Sequence, residues 1–132
     1  MSRKVIAAVD DDRISLFVIQ RMFESTESTA NIMCFASGSA FLQYMINHAS
    51  LQDELPDVVT MDINMPVSTG WEILEELELL MPSLCKKPTI FMLSSSTDPK
   101  DAERALCSSI VERYVVKPVT RESCSSMLQA HE

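Results

Sequence analysis

The chain has 132 residues, of which 46% are hydrophobic, and a formal net charge of −8 from 11 Lys and Arg against 19 Asp and Glu. This length and apolar content suit one domain with a substantial core and exclude a disordered acidic tail, while the acidic balance argues against direct nucleic-acid binding because phosphate backbones require clustered Lys and Arg. The two glycines, Gly38 and Gly70, are too few for a glycine-rich phosphate-binding loop.

The first predicted element is a strand at residues 5–9, which three aspartates bring to an end. Its apolar run is too short for a secretory signal or a membrane span, so we expect a cytoplasmic protein that does not insert into a membrane. Residues at helical spacing follow and predict an amphipathic helix with Asp12 as its N-cap. These residues are Ile14, Phe17, Val18, Arg21 and Met22.

The middle of the chain predicts two more strands, and a helix follows each of them. Residues 31–35 form the second strand, and Ser37 would cap the helix after it. Residues 57–62 form the third strand, and a helix from about residue 71 to residue 80 follows it. The apolar residues at helical spacing are Phe41, Leu42, Met45 and Ile46 in the earlier helix and Trp71, Ile73, Leu74, Leu77 and Leu80 in the later one.

The remaining sequence completes an alternating pattern. Residues 89–93 form a fourth strand, Asp98 and Pro99 begin a helix, residues 113–116 form a fifth strand, and a last helix starts near Thr120. Continuous apolar strands are buried on both faces, as in a parallel sheet that lies between two helical layers. We therefore expect a three-layer, doubly wound α/β fold, with residues 1–132 as one domain.

The four cysteines are scattered along the chain, without a CxxC motif or a histidine at metal-ligand spacing. They are Cys34, Cys85, Cys107 and Cys124. We expect reduced and mostly buried thiols rather than a disulfide or a metal site, as in a cytosolic protein.

Polar and charged residues follow four of the predicted strands. Asp10 and Asp11 follow the first strand, Asp62 ends the third, hydroxyl residues 94–97 follow the fourth, and Lys117 follows the fifth. In a doubly wound fold these positions meet at one edge of the sheet. Carboxylates this close raise one another's pKa unless a cation joins them, and oxygen ligands without His or Cys favour Mg²⁺ or Mn²⁺. With such a cation and the lysine nearby, a carboxylate could attack phosphorus and form an aspartyl phosphate.

Four segments, in order along the chain, resemble the receiver domain of the two-component response-regulator family. They are Val9-Asp10-Asp11, Met61-Asp62-Ile63-Asn64-Met65-Pro66 with Gly70, Leu93-Ser94-Ser95 and Tyr114-Val115-Val116-Lys117-Pro118. The resemblance extends from Val5 to about Met127. It implies a flavodoxin-like (βα)5 fold with the strand order 2-1-3-4-5.

The resemblance also implies how phosphate and metal are bound. Asp62 would be the phosphoacceptor, and Lys117 would pair with the phosphoryl group. Asp10 and Asp11 would bind Mg²⁺ or Mn²⁺ together with Asp62 and the backbone carbonyl of Asn64.

Two further residues would form a switch that responds to phosphorylation. Ser94 would be the hydroxyl that moves toward the phosphoryl group, and Ser95 is the alternative because the interval from Ser94 to Lys117 is one residue longer than usual in the family. Tyr114 would be the aromatic residue that changes rotamer. The Lys117–Pro118 bond is often cis in the family, although only about 5–6% of X-Pro bonds are cis in general.

The resemblance implies a stand-alone receiver that is not an enzyme beyond its own phosphotransfer and dephosphorylation. The phosphoryl group would come from a phosphohistidine on a sensor histidine kinase or a histidine phosphotransfer protein. A downstream protein would read the side built from the helix after Pro99, the fifth strand and the last helix, and a homodimer is left open.

Two other functions are weighed against this one. A Mg²⁺-dependent phosphohydrolase of the haloacid-dehalogenase type uses the same chemistry, but it places its nucleophile on the first strand as Asp-x-Asp. A receiver-shaped interaction module that no longer takes phosphate would not need all of Asp10, Asp11, Asp62, Ser94 and Lys117.

Overall fold

The computed structural model describes residues 4–26, 30–95 and 98–131, in which five strands alternate with five helices. The strands are β1 (Lys4–Val9), β2 (Ala30–Phe35), β3 (Val58–Asp62), β4 (Thr89–Ser94) and β5 (Val111–Val116). The helices are α1 (Arg13–Glu24), α2 (Gly38–Asn47), α3 (Gly70–Leu80), α4 (Pro99–Cys107) and α5 (Arg121–His131), with a 3₁₀ turn at Met81–Ser83 after α3. The predicted alternation is confirmed, and β5 begins two residues earlier than predicted.

The five strands form one parallel sheet in the order β2-β1-β3-β4-β5. This is the order that the resemblance implied. From β1 the chain adds β2 on one side of the sheet and then β3, β4 and β5 on the other. The topological switch point therefore lies between the carboxyl ends of β1 and β3. The expected ligand position is therefore the edge where Asp10 and Asp62 stand.

Two apolar cores lie on opposite faces of the sheet, which makes the fold three-layered. One core contains residues of α2, α3 and α4, and the other contains residues of α1 and α5. All five residues of β3 are buried, because this central strand is covered on both faces. A continuous apolar strand is the sequence pattern that such burial requires.

The buried residues of α1 are not the ones that the sequence analysis noted at helical spacing. Leu16, Ile19 and Phe23 are buried, whereas Ile14 and Phe17 are 75% and 61% exposed. Both sets of residues recur at spacings of three and four, so periodicity alone does not separate them. Ile14 and Phe17 stay exposed because contact with the sheet and α5 selects the other set.

The helices α2 and α3 pack largely as predicted. The buried residues of the predicted sets are Phe41, Leu42, Met45, Trp71, Ile73, Leu74 and Leu77. Ile46 is exposed and Leu80 is only half-buried, since both lie at the margins of their helices' packed faces. Asp12, Ser37 and Asp98 each accept a hydrogen bond from a backbone N–H of the following helix, as N-caps do.

The prediction that the cysteines are mostly buried was wrong. Cys124 is buried in the core under α5, but Cys34, Cys85 and Cys107 are exposed and all four are free thiols. The three exposed cysteines lie at positions that the sequence alone does not distinguish from core positions. In the described part of the chain, each helix is too short or too polar to cross a bilayer.

Candidate functional site

Three carboxylates meet where β1 and β3 end. One oxygen each from Asp10, Asp11 and Asp62 can be chosen so that all three lie within 4.8 Å of one another. Asp10 is fully buried, Asp62 is 6% exposed, and Asp11 faces solvent. The backbone N–H of Asp10 donates to the carbonyl of Phe35 at 3.0 Å, so pairing with β2 continues past the end of β1 and orients this residue.

Lys117 lies between the two buried carboxylates. Its Nζ is 2.5 Å from Oδ2 of Asp10 and 3.3 Å from Oδ1 of Asp62. Its backbone N–H donates to the carbonyl of Ser94 at 2.8 Å, which anchors the residue beside the end of β4. One ammonium therefore faces two buried carboxylates, and the buried part of the site lacks one positive charge.

These surroundings shift the pKa values of Asp62 and Lys117. The pKa of Asp62 is raised from 3.8 to about 6. Burial is the largest cause and the charge of Asp10 the second, whereas Lys117 lowers the pKa. Burial alone would lower the pKa of Lys117, but its hydrogen bond to Asp10 and the charges of both carboxylates outweigh burial and raise it. Asp62 thus carries a charge that its surroundings only partly compensate.

The donor set suits a hard divalent cation. Asp10, Asp11 and Asp62 offer carboxylate oxygens without thiol or imidazole competitors in the cluster, and oxygen ligands are those that Mg²⁺ and Mn²⁺ prefer. A cation there would also supply the positive charge that the buried part of the site lacks. Asn64 lies beside these carboxylates, with its backbone N–H 3.4 Å from Oδ1 of Asp62. The use of its carbonyl as a metal ligand stays a prediction.

The structure brings Ser94, and not Ser95, into the site. Ser94 is fully buried, and its Oγ accepts a hydrogen bond from Nδ2 of Asn64 at 3.0 Å. Ser95 is exposed. The two other hydroxyl residues of this segment, Ser96 and Thr97, lie outside the described residues. From the sequence, only the backbone carbonyl of Asn64 was assigned a role in the site. The contact between the side chains of Asn64 and Ser94 was therefore not predicted, and the only signal for it was the position of an amide two residues after Asp62.

A bulge in β5 lies within the long interval between Ser94 and Lys117. The register of the β4–β5 pair shifts between Ile90 and Phe91, which leaves Glu112 as the extra residue on β5. Beyond the bulge the pairing is regular again and places Lys117 next to Ser94. The additional residue is therefore absorbed before the site, and it does not move the site toward Ser95.

Gly70 packs directly against the main chain of Asp62. Its N–H donates to the carbonyl of Ile63 at 2.8 Å, and a Cβ on this residue would lie 2.3 Å from the carbonyl oxygen of Asp62. Only glycine allows this approach, which fixes the loop after β3 on the first turn of α3. The sequence identified Gly70 as part of a motif but did not predict this contact.

Tyr114 lies on β5 and is half-buried against the core that α2, α3 and α4 cover. In the parallel register it stands beside Met92 of β4, two residues before Ser94. A change of its rotamer on phosphorylation stays a prediction. The Lys117–Pro118 peptide bond is cis, as the resemblance implied.

Comparison with known proteins agrees with this geometry. The family model described as the response regulator receiver domain matches residues 6–129. A crystal structure of a two-component response regulator from Cytophaga hutchinsonii superposes with a TM-score of 0.89 at 27% identity, covering 99% of this chain and 98% of that one.

Two curated relatives extend the comparison. The probable methanogenesis regulatory protein FilR2 of Methanothrix harundinacea is 29% identical over 89% of this chain and 74% of its own length. The two-component response regulator ARR15 of Arabidopsis thaliana is 27% identical over 86% of this chain and 55% of its own length. The chain thus spans about half the length of the plant regulators that it matches.

Proposed function

The chain belongs to the response regulator receiver domain family, and we propose that Asp62 accepts a phosphoryl group from a phosphohistidine in a Mg²⁺-dependent reaction. The observation that supports this proposal is the pairing of a buried Asp62 with Lys117, next to two further carboxylates. Such a site combines a nucleophile, a cation-binding set and a fixed positive charge within a few ångströms. Residues 1–132 act as one receiver domain.

In the proposed reaction, a carboxylate oxygen of Asp62 forms a bond to phosphorus while the P–N bond of the donor breaks. The imidazole nitrogen of the donor keeps the bonding electron pair and takes up a proton from solvent. Bound Mg²⁺, or Mn²⁺ in its place, would offset the charge of the carboxylates and the phosphoryl oxygens. Lys117 pairs with one phosphoryl oxygen, and the hydroxyl of Ser94 turns from Asn64 to donate to another.

The phosphorylated form acts on other proteins. A sensor histidine kinase or a histidine phosphotransfer protein supplies the phosphoryl group in the cytoplasm, and a downstream protein reads the surface of α4, β5 and α5. Tyr114 lies on β5, where a change of its rotamer would alter that surface. The domain has no further catalytic activity beyond formation and hydrolysis of its own aspartyl phosphate.

Intact-mass measurement after incubation with acetyl phosphate and Mg²⁺ tests this proposal. We expect a gain of one phosphoryl group, which disappears with EDTA and in Asp62→Asn. Asp53→Asn, which changes an exposed aspartate away from the site, is the matched control and should be phosphorylated normally. An adduct that persists in Asp62→Asn, or no adduct in the unmodified protein, would contradict the proposal.

The same preparation separates the alternatives. A haloacid-dehalogenase-like phosphohydrolase would hydrolyse p-nitrophenyl phosphate with many turnovers, whereas the proposed receiver would not. An interaction module that takes no phosphate would yield no adduct with any donor. The position of Asp62 on β3, rather than on the first strand, argues against the phosphohydrolase.

A further inference from the structure

The helix α4 has fewer apolar anchors than its neighbours. The helices α1, α2 and α3 bury three, three and four apolar side chains, whereas α4, described over its whole length, buries Ala105 alone. Besides its packing against β5, the position of α4 therefore depends on polar contacts, which are easier to break and remake than an apolar core.

Trp71 of α3 provides these polar contacts. Its Nε1 donates to Oδ1 of Asp101 at 3.2 Å, and the guanidinium of Arg104 lies over its ring, 4.7 Å from the centroid. Asp101 and Arg104 are three residues apart, so they present one face of α4 to the indole. Arg104 also pairs with Glu75 of α3 at 3.5 Å. Trp71 itself is 6% exposed and belongs to the core that α2, α3 and α4 cover.

The same tryptophan directly follows the residue that contacts the phosphoacceptor. Gly70 touches the backbone of Asp62 so closely that a Cβ would not fit. A capping box between Thr69 and Glu72 closes the first turn of α3 around Trp71. A displacement of the Asp62 backbone toward α3 would therefore press on Gly70 and move this turn.

We propose that Trp71 is a tether through which the state of Asp62 controls α4. Without phosphate, the indole holds Asp101 and Arg104 and fixes α4 on α3. Phosphorylation shifts the first turn of α3, lengthens the Trp71–Asp101 hydrogen bond, which is already at the long end of the usual range, and loosens α4. This inference rests on the proposed function and adds a route from its site to the output surface.

Hydrogen exchange of the amides of residues 99–107 tests the tether, with beryllofluoride and Mg²⁺ as the phosphoryl mimic. In the unmodified protein, the mimic should speed exchange in α4 by about threefold or more. Asp101→Ala and Trp71→Phe remove the hydrogen bond from either side, and both should speed exchange without the mimic. Glu103→Ala, an exposed acid on the same helix, is the matched control and should leave exchange unchanged.

Coupling between two sites is reciprocal, so loss of the tether must also change the affinity of the protein for the mimic. Because Asp101→Ala no longer has to break the tether, it should bind beryllofluoride about threefold to tenfold more tightly than the unmodified protein. Trp71 is the only tryptophan of the chain, so its fluorescence should also change on binding in the unmodified protein.

The outcomes separate the tether from the proposed function. Fluorine NMR shows whether beryllofluoride binds, and failure to bind would contradict the proposed function and the coupling together. If the mimic binds but exchange in α4 and emission of Trp71 stay unchanged, the tether is overturned while the proposed function stands. Equal rates of amide exchange in α4 of Asp101→Ala, Trp71→Phe and Glu103→Ala without the mimic would also overturn the tether.

Discussion

Asp62 carries its charge in surroundings that favour the neutral acid. Its pKa in the folded protein is about 6, against 3.8 for an ordinary aspartate, because of burial and the charge of Asp10. The folded state therefore keeps a proton between these pH values that the unfolded state has lost. The stability that results is present below about pH 4 and is lost as the pH rises through 6.

Asp62→Asn should therefore stabilise the metal-free protein at neutral pH. We expect the free energy of unfolding in EDTA at pH 7.5 to rise by about 1–2 kcal/mol, because a neutral amide replaces a disfavoured carboxylate. Urea unfolding at pH 4 and pH 7.5 measures this difference, which should be much smaller at the lower pH.

Addition of Mg²⁺ provides the control for this prediction. The ion should stabilise the unmodified protein by binding the folded state and should stabilise Asp62→Asn much less, because one ligand is lost. A variant that is less stable than the unmodified protein at pH 7.5 in EDTA would show that Lys117 compensates Asp62 fully.

Thr60 is a second residue at which polarity and burial conflict. It lies on β3, two residues before Asp62, and its Oγ1 has no hydrogen-bond partner among the described residues. Thr60→Val keeps the shape of the side chain and removes the unsatisfied hydroxyl, so the free energy of unfolding should rise by about 1 kcal/mol. Thermal or urea denaturation measures it. Loss of stability in Thr60→Val would indicate that an ordered water satisfies the hydroxyl.

At the scale of whole elements, the two glycines show how helices are placed against the site. A Cβ on Gly70 would meet backbone atoms of Asp62 and Ile63, whereas a Cβ on Gly38 would meet side-chain atoms of Ile73. Backbone cannot yield without moving β3, but a side chain can change its rotamer. The two positions therefore differ in how well they tolerate alanine.

We expect Gly70→Ala to destabilise the protein by about 2 kcal/mol or more, despite the better helix propensity of alanine. Gly38→Ala should change stability by less than about 1 kcal/mol, because its clash and its gain in propensity offset each other. Chemical denaturation of both variants provides the comparison. Equal effects would mean that the loop after β3 can move away from α3 freely.

The strands follow the sequence pattern more closely than the helix faces do. Strands β1 to β4 were predicted to within one residue at each end, because each is a short apolar run whose limits are marked by polar or proline residues. The buried face of α1 was not predicted, since two sets of residues share the helical period. The bulge at Glu112 was not predicted either. The sequence shows only the interval from Ser94 to Lys117, and the bulge itself is defined by how β5 pairs with β4.

At the scale of the molecule, the two cores share one sheet and should unfold together. Trp71 reports on the core under α2 and α3, and Cys124 reports on the core under α1 and α5. Burial raises the pKa of Cys124 to about 12, so its thiol stays protonated and unreactive until the domain opens.

We expect both probes to show the same urea midpoint, as for a two-state domain. Trp71 fluorescence and pulsed alkylation of Cys124 measure the two transitions, with Cys34, Cys85 and Cys107 replaced by serine to remove the exposed thiols. Separate midpoints would show that one helical layer detaches before the other.

The amino-acid sequence alone determined the α/β class and predicted which residues lie together at the carboxyl ends of the strands. Both are local properties: apolar runs mark the strands, and the residues that end parallel strands must share one edge of the sheet. Only the tertiary structure decided which of two neighbouring serines enters the site, which face of α1 is buried, how closely Gly70 approaches Asp62, and that Trp71 joins α3 to α4. Each of these depends on contacts between segments far apart in the chain, where register and packing select among arrangements that local patterns permit equally.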